Sequence, residues 1–128
     1  MPVTWMIEPE RQLVHIRYVD AVDAGNWQRV IEGVLKDPGF RPGFRWLVDR
    51  RHATTPSTSF AADILAVLDQ HREQIGNARV ALVIQRQSTD FAMARMQVSL
   101  NDFVGLSTRI FHSEADAVAW LTDPQVAR

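Results

Sequence analysis

Two neighbouring stretches carry the residue types that could do chemistry. Asp49-Arg50-Arg51-His52 closes the apolar run Trp46-Leu47-Val48, and Thr54-Thr55-Pro56-Ser57-Thr58-Ser59 follows, just before Phe60. Paired arginines offer forked, permanently charged donors that suit a carboxylate or a phosphate. A run of hydroxyls ahead of an amphipathic segment suits the orphan N–H groups of a helix start. The same helix start favours an anion, so a phosphoryl group there would act as a switch. Arg86 follows a second apolar run, Ala78 to Ile84, and His112 ends a third. Charges at the carboxyl ends of successive parallel strands converge on the edge where open α/β sheets take ligands. Arg50, Arg51, His52 and Arg86 are therefore a candidate anion-binding set, against the plain alternative of solvated charges at strand ends.

Other chemistries find less support. His52, Ser57 and Asp49 can be drawn as a hydrolase triad, but no nucleophile elbow or oxyanion-hole glycine motif accompanies them. The histidines, His15, His52, His71 and His112, contain no HxH or HExxH pair, so neither a metal nor another cofactor is expected. The absence of cysteine excludes disulfides, thiolate metal sites and thiol nucleophiles. No acid–base pair of recognisable spacing is present, and the expectation is that the protein is not an enzyme.

The elements that must position these residues follow from periodicity. Residues 3–7 and 12–19 read as a hairpin around Pro9, with Val14, Ile16 and Tyr18 on its core face. Trp27, Val30, Ile31, Val34 and Leu35 form a helical stripe, capped by Asp23 or Asn26 and ended by Asp37-Pro38-Gly39. Phe40 and Phe44 form either an exposed aromatic patch or a cover folded over the sheet edge. The helix after the hydroxyl run carries Phe60, Ile64, Val67, Leu68, His71 and Ile75 on one side and closes at Gly76. Ala78 to Ile84 reads as an interior strand covered on both faces. Ser88 or Thr89 would cap a third helix with the stripe Ala92, Met93, Met96, Leu100 and Phe103. A short strand, 106–111, leads to Ser113-Glu114-Ala115-Asp116, a capping-box-like start for a helix burying Ala117, Trp120 and Leu121.

The order β-β-α-β-α-β-α-β-α implies an α/β fold: one single-domain mixed sheet of about five strands with four helices, spanning residues 1–128. Length and composition agree, with 128 residues, 46% hydrophobic and 23% charged. Fourteen basic and 15 acidic residues give a formal net charge of -1, without the one-sided basic face that nucleic acid demands. No apolar run approaches the ~20 residues of a membrane span, and the opening residues lack a basic region followed by an apolar core, so they are not expected to be a signal peptide. A cytoplasmic protein with no integral membrane association is expected.

Three stretches then resemble a known family: Phe91-Ala92-Met93-Ala94-Arg95-Met96, the strand from Arg79 to Ile84, and Ile110-Phe111-His112-Ser113-Glu114-Ala115-Asp116-Ala117-Val118-Ala119-Trp120-Leu121. With the element order, they are similar to the SpoIIAA-like, or STAS, family, best known in bacterial anti-sigma-factor antagonists, and most similar to its STAS/CRAL-TRIO-like branch. The resemblance implies a regulatory module that contacts a protein partner through the start of the second helix, at Ser57, Thr58, Ser59 and Phe60. A homodimer is compatible with this. In that family a serine at this position is phosphorylated, although the family's Asp-Ser-Ser-Gly is absent here and Pro56 precedes the cluster. The strand-end residues Arg50, Arg51, His52 and Arg86 leave an alternative, a small anionic or lipid-like ligand at the carboxyl edge of the parallel strands, and the CRAL-TRIO likeness adds a lipid-sized cavity to it. Phe91, Met93 and Met96 would then line a lipid-sized cavity; otherwise they are core.

Overall fold

The computed structural model describes residues 3–54, 59–86 and 90–124. Within them, five strands form one sheet in chain order: β1 (Val3–Glu8), β2 (Leu13–Asp20), β3 (Arg45–Ala53), β4 (Ala78–Val83) and β5 (Leu106–Phe111). β1 pairs antiparallel with β2, and all later neighbours are parallel. The helices are α1 (Ala24–Lys36), α2 (Phe60–Gln70), α3 (Arg72–Ile75), α4 (Phe91–Asn101) and α5 (Glu114–Leu121). The expected mixed α/β sheet is thus present. One helix more than expected arises because the chain breaks at His71 (φ -109, ψ 19), which separates α2 from α3.

The hairpin turns through a single 3-10 turn opened by Pro9, and Gln12 takes a left-handed conformation (φ 57) with its N–H on the Pro9 carbonyl. Val14, Ile16 and Tyr18 are buried on one face of β2, as the alternation predicts. On that face they join Trp46 and Val48 of β3, Val80 and Leu82 of β4, and the inner sides of α1 and α2 in the main core. Phe40 and Phe44 are buried in it too, stacked edge-on to each other at 5.5 Å, so the loop covers the core rather than presenting an aromatic patch. The opposite face carries a smaller core, where Leu13, Leu47, Ala81 and Val83 meet Ala117, Trp120 and Leu121 of α5. β4, covered on both sides, is buried along its whole length.

Local chemistry fixes the helix ends. The Asp23 carboxylate accepts from Asn26 N–H at 2.7 Å at the start of α1, and Ser113 Oγ accepts from Asp116 N–H at 3.1 Å at the start of α5. Arg79, buried on β4, donates to the Trp120 and Asp123 carbonyls at 2.7 and 2.9 Å and so satisfies the C-terminal end of α5. Ser88 and Thr89, expected to cap the third helix, lie outside the described residues.

Gly105 turns the chain from α4 into β5 with φ +79, and a Cβ there would lie 2.2 Å from Asn77 Oδ1. Gly105→Ala is expected to destabilise the fold by about 1–2 kcal/mol, the cost of holding a side chain in the left-handed region. Urea unfolding reads this directly, and an unchanged midpoint would show that the turn does not need that conformation.

Candidate functional site

The candidate anion set sits on β3, and strand geometry separates its members. The strand does not end at Asp49 but continues to Ala53, so the charged residues alternate across the sheet instead of converging. The register shifts between Arg17 and Val19 of β2, leaving Arg50 and Arg51 opposite Tyr18, the arrangement of a β-bulge. Arg50 points into the main core, its side chain almost fully buried, and its guanidinium donates to the Asp90 carboxylate at the head of α4. Its guanidinium carbon also lies 5.8 Å from the centre of the Tyr18 ring. Arg50 is therefore withdrawn from any surface anion site, because a buried guanidinium demands a charge partner and already has one.

Arg51 lies on the other face and grips Asp49, with Nε on Oδ1 at 3.0 Å and Nη2 on Oδ2 at 2.9 Å. Arg17 adds a longer contact to the same carboxylate at 3.7 Å. Burial pushes the Asp49 carboxyl upward, but the hydrogen bonds from Arg51 and the charges of Arg51 and Arg17 overcome it and hold the group below its usual range. Asp90 behaves oppositely: burial raises its pKa, and Arg50 offsets this only in part. His52 and Arg86 remain exposed at the carboxyl edge. There, Gln85 donates to the Arg51 carbonyl at 2.7 Å, and a His112 ring nitrogen meets the Ile84 carbonyl at 3.1 Å. Of the four anion-binding candidates, two are exposed and two are committed to carboxylates of the same chain.

At the start of α2, Ser59 is exposed and its carbonyl accepts the Asp63 N–H at 3.0 Å in the first turn. Phe60 is only 3% exposed, its ring edge-on to Tyr18 at a centroid distance of 6.5 Å. It anchors the helix to the core and is not itself available to a partner. Ser57 and Thr58 lie outside the described residues.

Helix α4 overturns the stripe expected of it. Its buried side is Asp90, Ala94, Gln97 and Asn101, whereas Phe91 and Met96 are 41% and 45% exposed, and Phe103 just beyond it is 73% exposed. Ala92 is also exposed, and Met93 and Leu100 are half-buried. Polar groups attach this helix to the sheet. Besides Asp90, Gln97 donates to Asn101, and Asn101 Nδ2 donates to Thr108 Oγ1 of β5 at 2.9 Å. Sequence reasoning missed these residues because it sought an apolar stripe. Positions 90, 94, 97 and 101 do keep helical spacing, and that was the signal available. Between the sheet and the helices α1, α2 and α4 lies a cavity of ≈ 40 Å³, lined among others by Tyr18, Trp46, Arg50, Gln97 and Asn101. It has room for a few water molecules and not for a lipid chain, and Phe91, Met93 and Met96 do not line it.

Two measurements test these assignments. Asp90→Ala leaves Arg50 buried without its partner and is expected to cost about 3–5 kcal/mol in urea unfolding, whereas the double substitution Arg50→Met with Asp90→Leu costs far less. Equal losses in the two variants would mean the pair is not a coupled unit. Asp49, with its depressed folded pKa, contributes stability that is present above its unfolded pKa of about 3.9 and lost as pH falls through the folded value. Asp49→Asn should therefore be about 1.5–3 kcal/mol less stable than the parent at pH 7, with the gap closing in acid. A gap independent of pH would contradict the assigned ion pair.

Comparisons place this geometry among known folds. No family model matches the sequence, and no curated protein matches it. Among solved structures, the chain is similar to an uncharacterised protein of the DUF3478 family with a SpoIIAA-like fold from Shewanella loihica PV-4. The identity is 19%, 93% of each chain is covered, and the TM-score is 0.65. It is also similar to an anti-sigma factor antagonist from Mycobacterium paratuberculosis, at 13% identity, with 94% of this chain and 95% of that one covered and a TM-score of 0.57. With its antiparallel opening hairpin, parallel remainder and helices on both faces, the chain has the SpoIIAA-like fold.

Proposed function

We propose that the protein is a non-enzymatic regulatory module that works by contacting a protein partner through the surface at the start of α2, in the manner of an anti-sigma-factor antagonist. The observation that carries this reading is the agreement of nearly the whole chain with the fold of such an antagonist. Its local support is the exposed Ser59 beside the buried anchor Phe60. A helix start anchored by its first apolar residue leaves Ser59, immediately before it, exposed to solvent. There an added phosphoryl group would meet the N-terminal N–H groups and the favourable end of the helix dipole. Ser57, Thr58 and Ser59 are the proposed phosphoacceptors, and the module would act in the cytoplasm.

The ligand-binding alternative keeps less of its basis. Arg50 is paired internally, Arg51 is bound to Asp49, and the interior cavity is small. An anion at the carboxyl edge would rely on His52 and Arg86 alone, without a buried fork to orient it.

Phosphopeptide mapping of the protein isolated from the cells that make it tests the proposal, together with partner capture by the parent and by Ser57→Asp, Thr58→Asp and Ser59→Asp. A phosphate on one of these residues, and loss of the captured partner on the matching aspartate substitution with an unchanged circular dichroism spectrum, is the expected result. No phosphate there and equal capture by all four proteins would sink the switch.

A further inference from the structure

A second surface lies at the opposite side of the sheet from the opening hairpin, along β5. β5 is the last strand of the sheet, and among the described residues no strand pairs with its outer edge. Beside that edge runs a groove of ≈ 420 Å³, walled on one side by Phe91, Arg95, Val98 and Ser99 of α4. Those positions are spaced four, three and one apart, which keeps them on one flank of the helix. Its other wall is formed by Thr108, Arg109 and Ile110 of β5 and by His112 just after it. The groove thus combines an unpaired backbone edge with apolar contacts from Phe91, Val98 and Ile110.

Its charge is one-sided. Arg95 lines it from α4 and Arg109 from the strand edge, and among the described residues no carboxylate does. Several other surface arginines find acids, Arg11 at Glu8, Arg51 at Asp49 and Arg72 at Asp69 (2.8 Å), whereas Arg29 and Arg41 bond neutral oxygens. Arg95 and Arg109 instead lie over aromatic rings, Arg95 5.9 Å from the centre of Phe91 and Arg109 5.5 Å from that of Trp120. Among the described residues neither has a carboxylate partner. A guanidinium stacked on a ring keeps its in-plane N–H donors available for an incoming anion.

We infer that this groove receives an extended acidic segment of a partner protein, which adds to β5 as a sixth strand. Main-chain hydrogen bonds to the open edge would supply sequence-independent affinity. Side chains of the segment on the α4 face would then enter the apolar groove and meet Arg95, and the alternate ones, on the α5 face, would meet Arg109 beside Trp120. A second copy of this chain fits poorly, because antiparallel pairing of β5 with itself would bring Arg109 close to its own counterpart, and like charges across strands repel. The inference goes beyond the proposed contact at the α2 start, since it concerns a different strand and helix and does not require phosphorylation.

The test uses the intact chain and a fluorescein-labelled peptide of repeating Glu-Glu-Val-Val, which carries glutamate on both faces of an extended strand, with a Lys-Lys-Val-Val peptide as control, read by fluorescence anisotropy. The acidic peptide is expected to bind and the basic one not. Arg95→Glu and Arg109→Glu should each weaken binding by at least about tenfold while leaving the circular dichroism spectrum unchanged. Amide hydrogen exchange across Leu106–Phe111 should slow when the peptide is added, which an electrostatic association elsewhere on the surface would not produce. Ser59→Asp, which tests the other surface, should leave this binding unaltered. Equal affinity for both peptides, unchanged exchange in β5, or charge reversals without effect would each overturn the inference. So would binding to phosphatidylglycerol vesicles without binding to the peptide, which would make the groove a lipid-headgroup site. A sedimenting dimer abolished by Arg109→Glu would equally overturn it in favour of self-association.

Discussion

The helical face of the sheet depends on how the chain disposes of Arg50. Strand alternation after Trp46 and Val48 sends this side chain into the main core, and ionising such a group in the interior costs several kcal/mol unless it is paired. Asp90 supplies the pair from the head of α4. Once Asp90 must face inward, so must the positions one, two and three turns later, Ala94, Gln97 and Asn101. The two amides continue the polar line to Thr108, and the apolar residues of the helix are left to look outward. One charged residue on β3 thus sets the orientation of a helix some forty positions away in sequence. Burial also pushes the Tyr18 phenol above its ordinary range, so the ring packed against Arg50 stays neutral.

The second face of the sheet is arranged on a different principle. α5 covers β3, β4 and β5 with three large contacts, Ala117, Trp120 and Leu121, and Arg79 from β4 ties off its C-terminal carbonyls. Among the described residues no helix packs over the hairpin half on this side. It is protected by charge instead: Glu8 bonds to both Arg11 and His15, and Arg17 leans over Asp49. The Arg11 guanidinium, more than His15, holds the Glu8 carboxyl down to about 2. Met6, 57% exposed, is the large apolar residue left among these charges, as expected where one face of an antiparallel pair is solvated.

Much of this was legible in the sequence, and the boundary of legibility has a physical cause. Alternation in β2, the stripe of α1 with Asp23 ahead of it, the uninterrupted run of β4, and Gly76 closing the second helical segment all reflect local rules that tertiary packing did not override. Those rules, with the order of elements, were sufficient for the SpoIIAA-like sheet. Arg50 and α4 were misread because their placement is a tertiary fact. A charge after an apolar run reads as the end of a strand unless its partner is known, and Asp90 lies far along the chain. The apolar side chains at positions 92, 93, 96, 100 and 103 then imitate a buried stripe, while the stripe that is buried is half polar. Phe60 was read correctly as the start of a helix, but the same apolar character that begins the helix removes it from the contact surface.

Helix α4 is consequently the element held least by apolar burial. α1 buries Trp27, Val30, Ile31 and Val34, and α2 buries Phe60, Ala61, Ile64, Val67 and Leu68, whereas α4 buries Ala94 and two amides. Each large apolar side chain left in water forgoes about 1.5–3 kcal/mol of burial, and Phe91 and Met96 are both substantially exposed. The ion pair that replaces them is nearly neutral in stability, because desolvation consumes most of its attraction. A partner lying against α4 and β5 would recover part of that unrealised burial without rearranging the core, since the groups it needs already face outward. The polar interior of α4 and its apolar, cationic exterior are two consequences of one inward-pointing arginine.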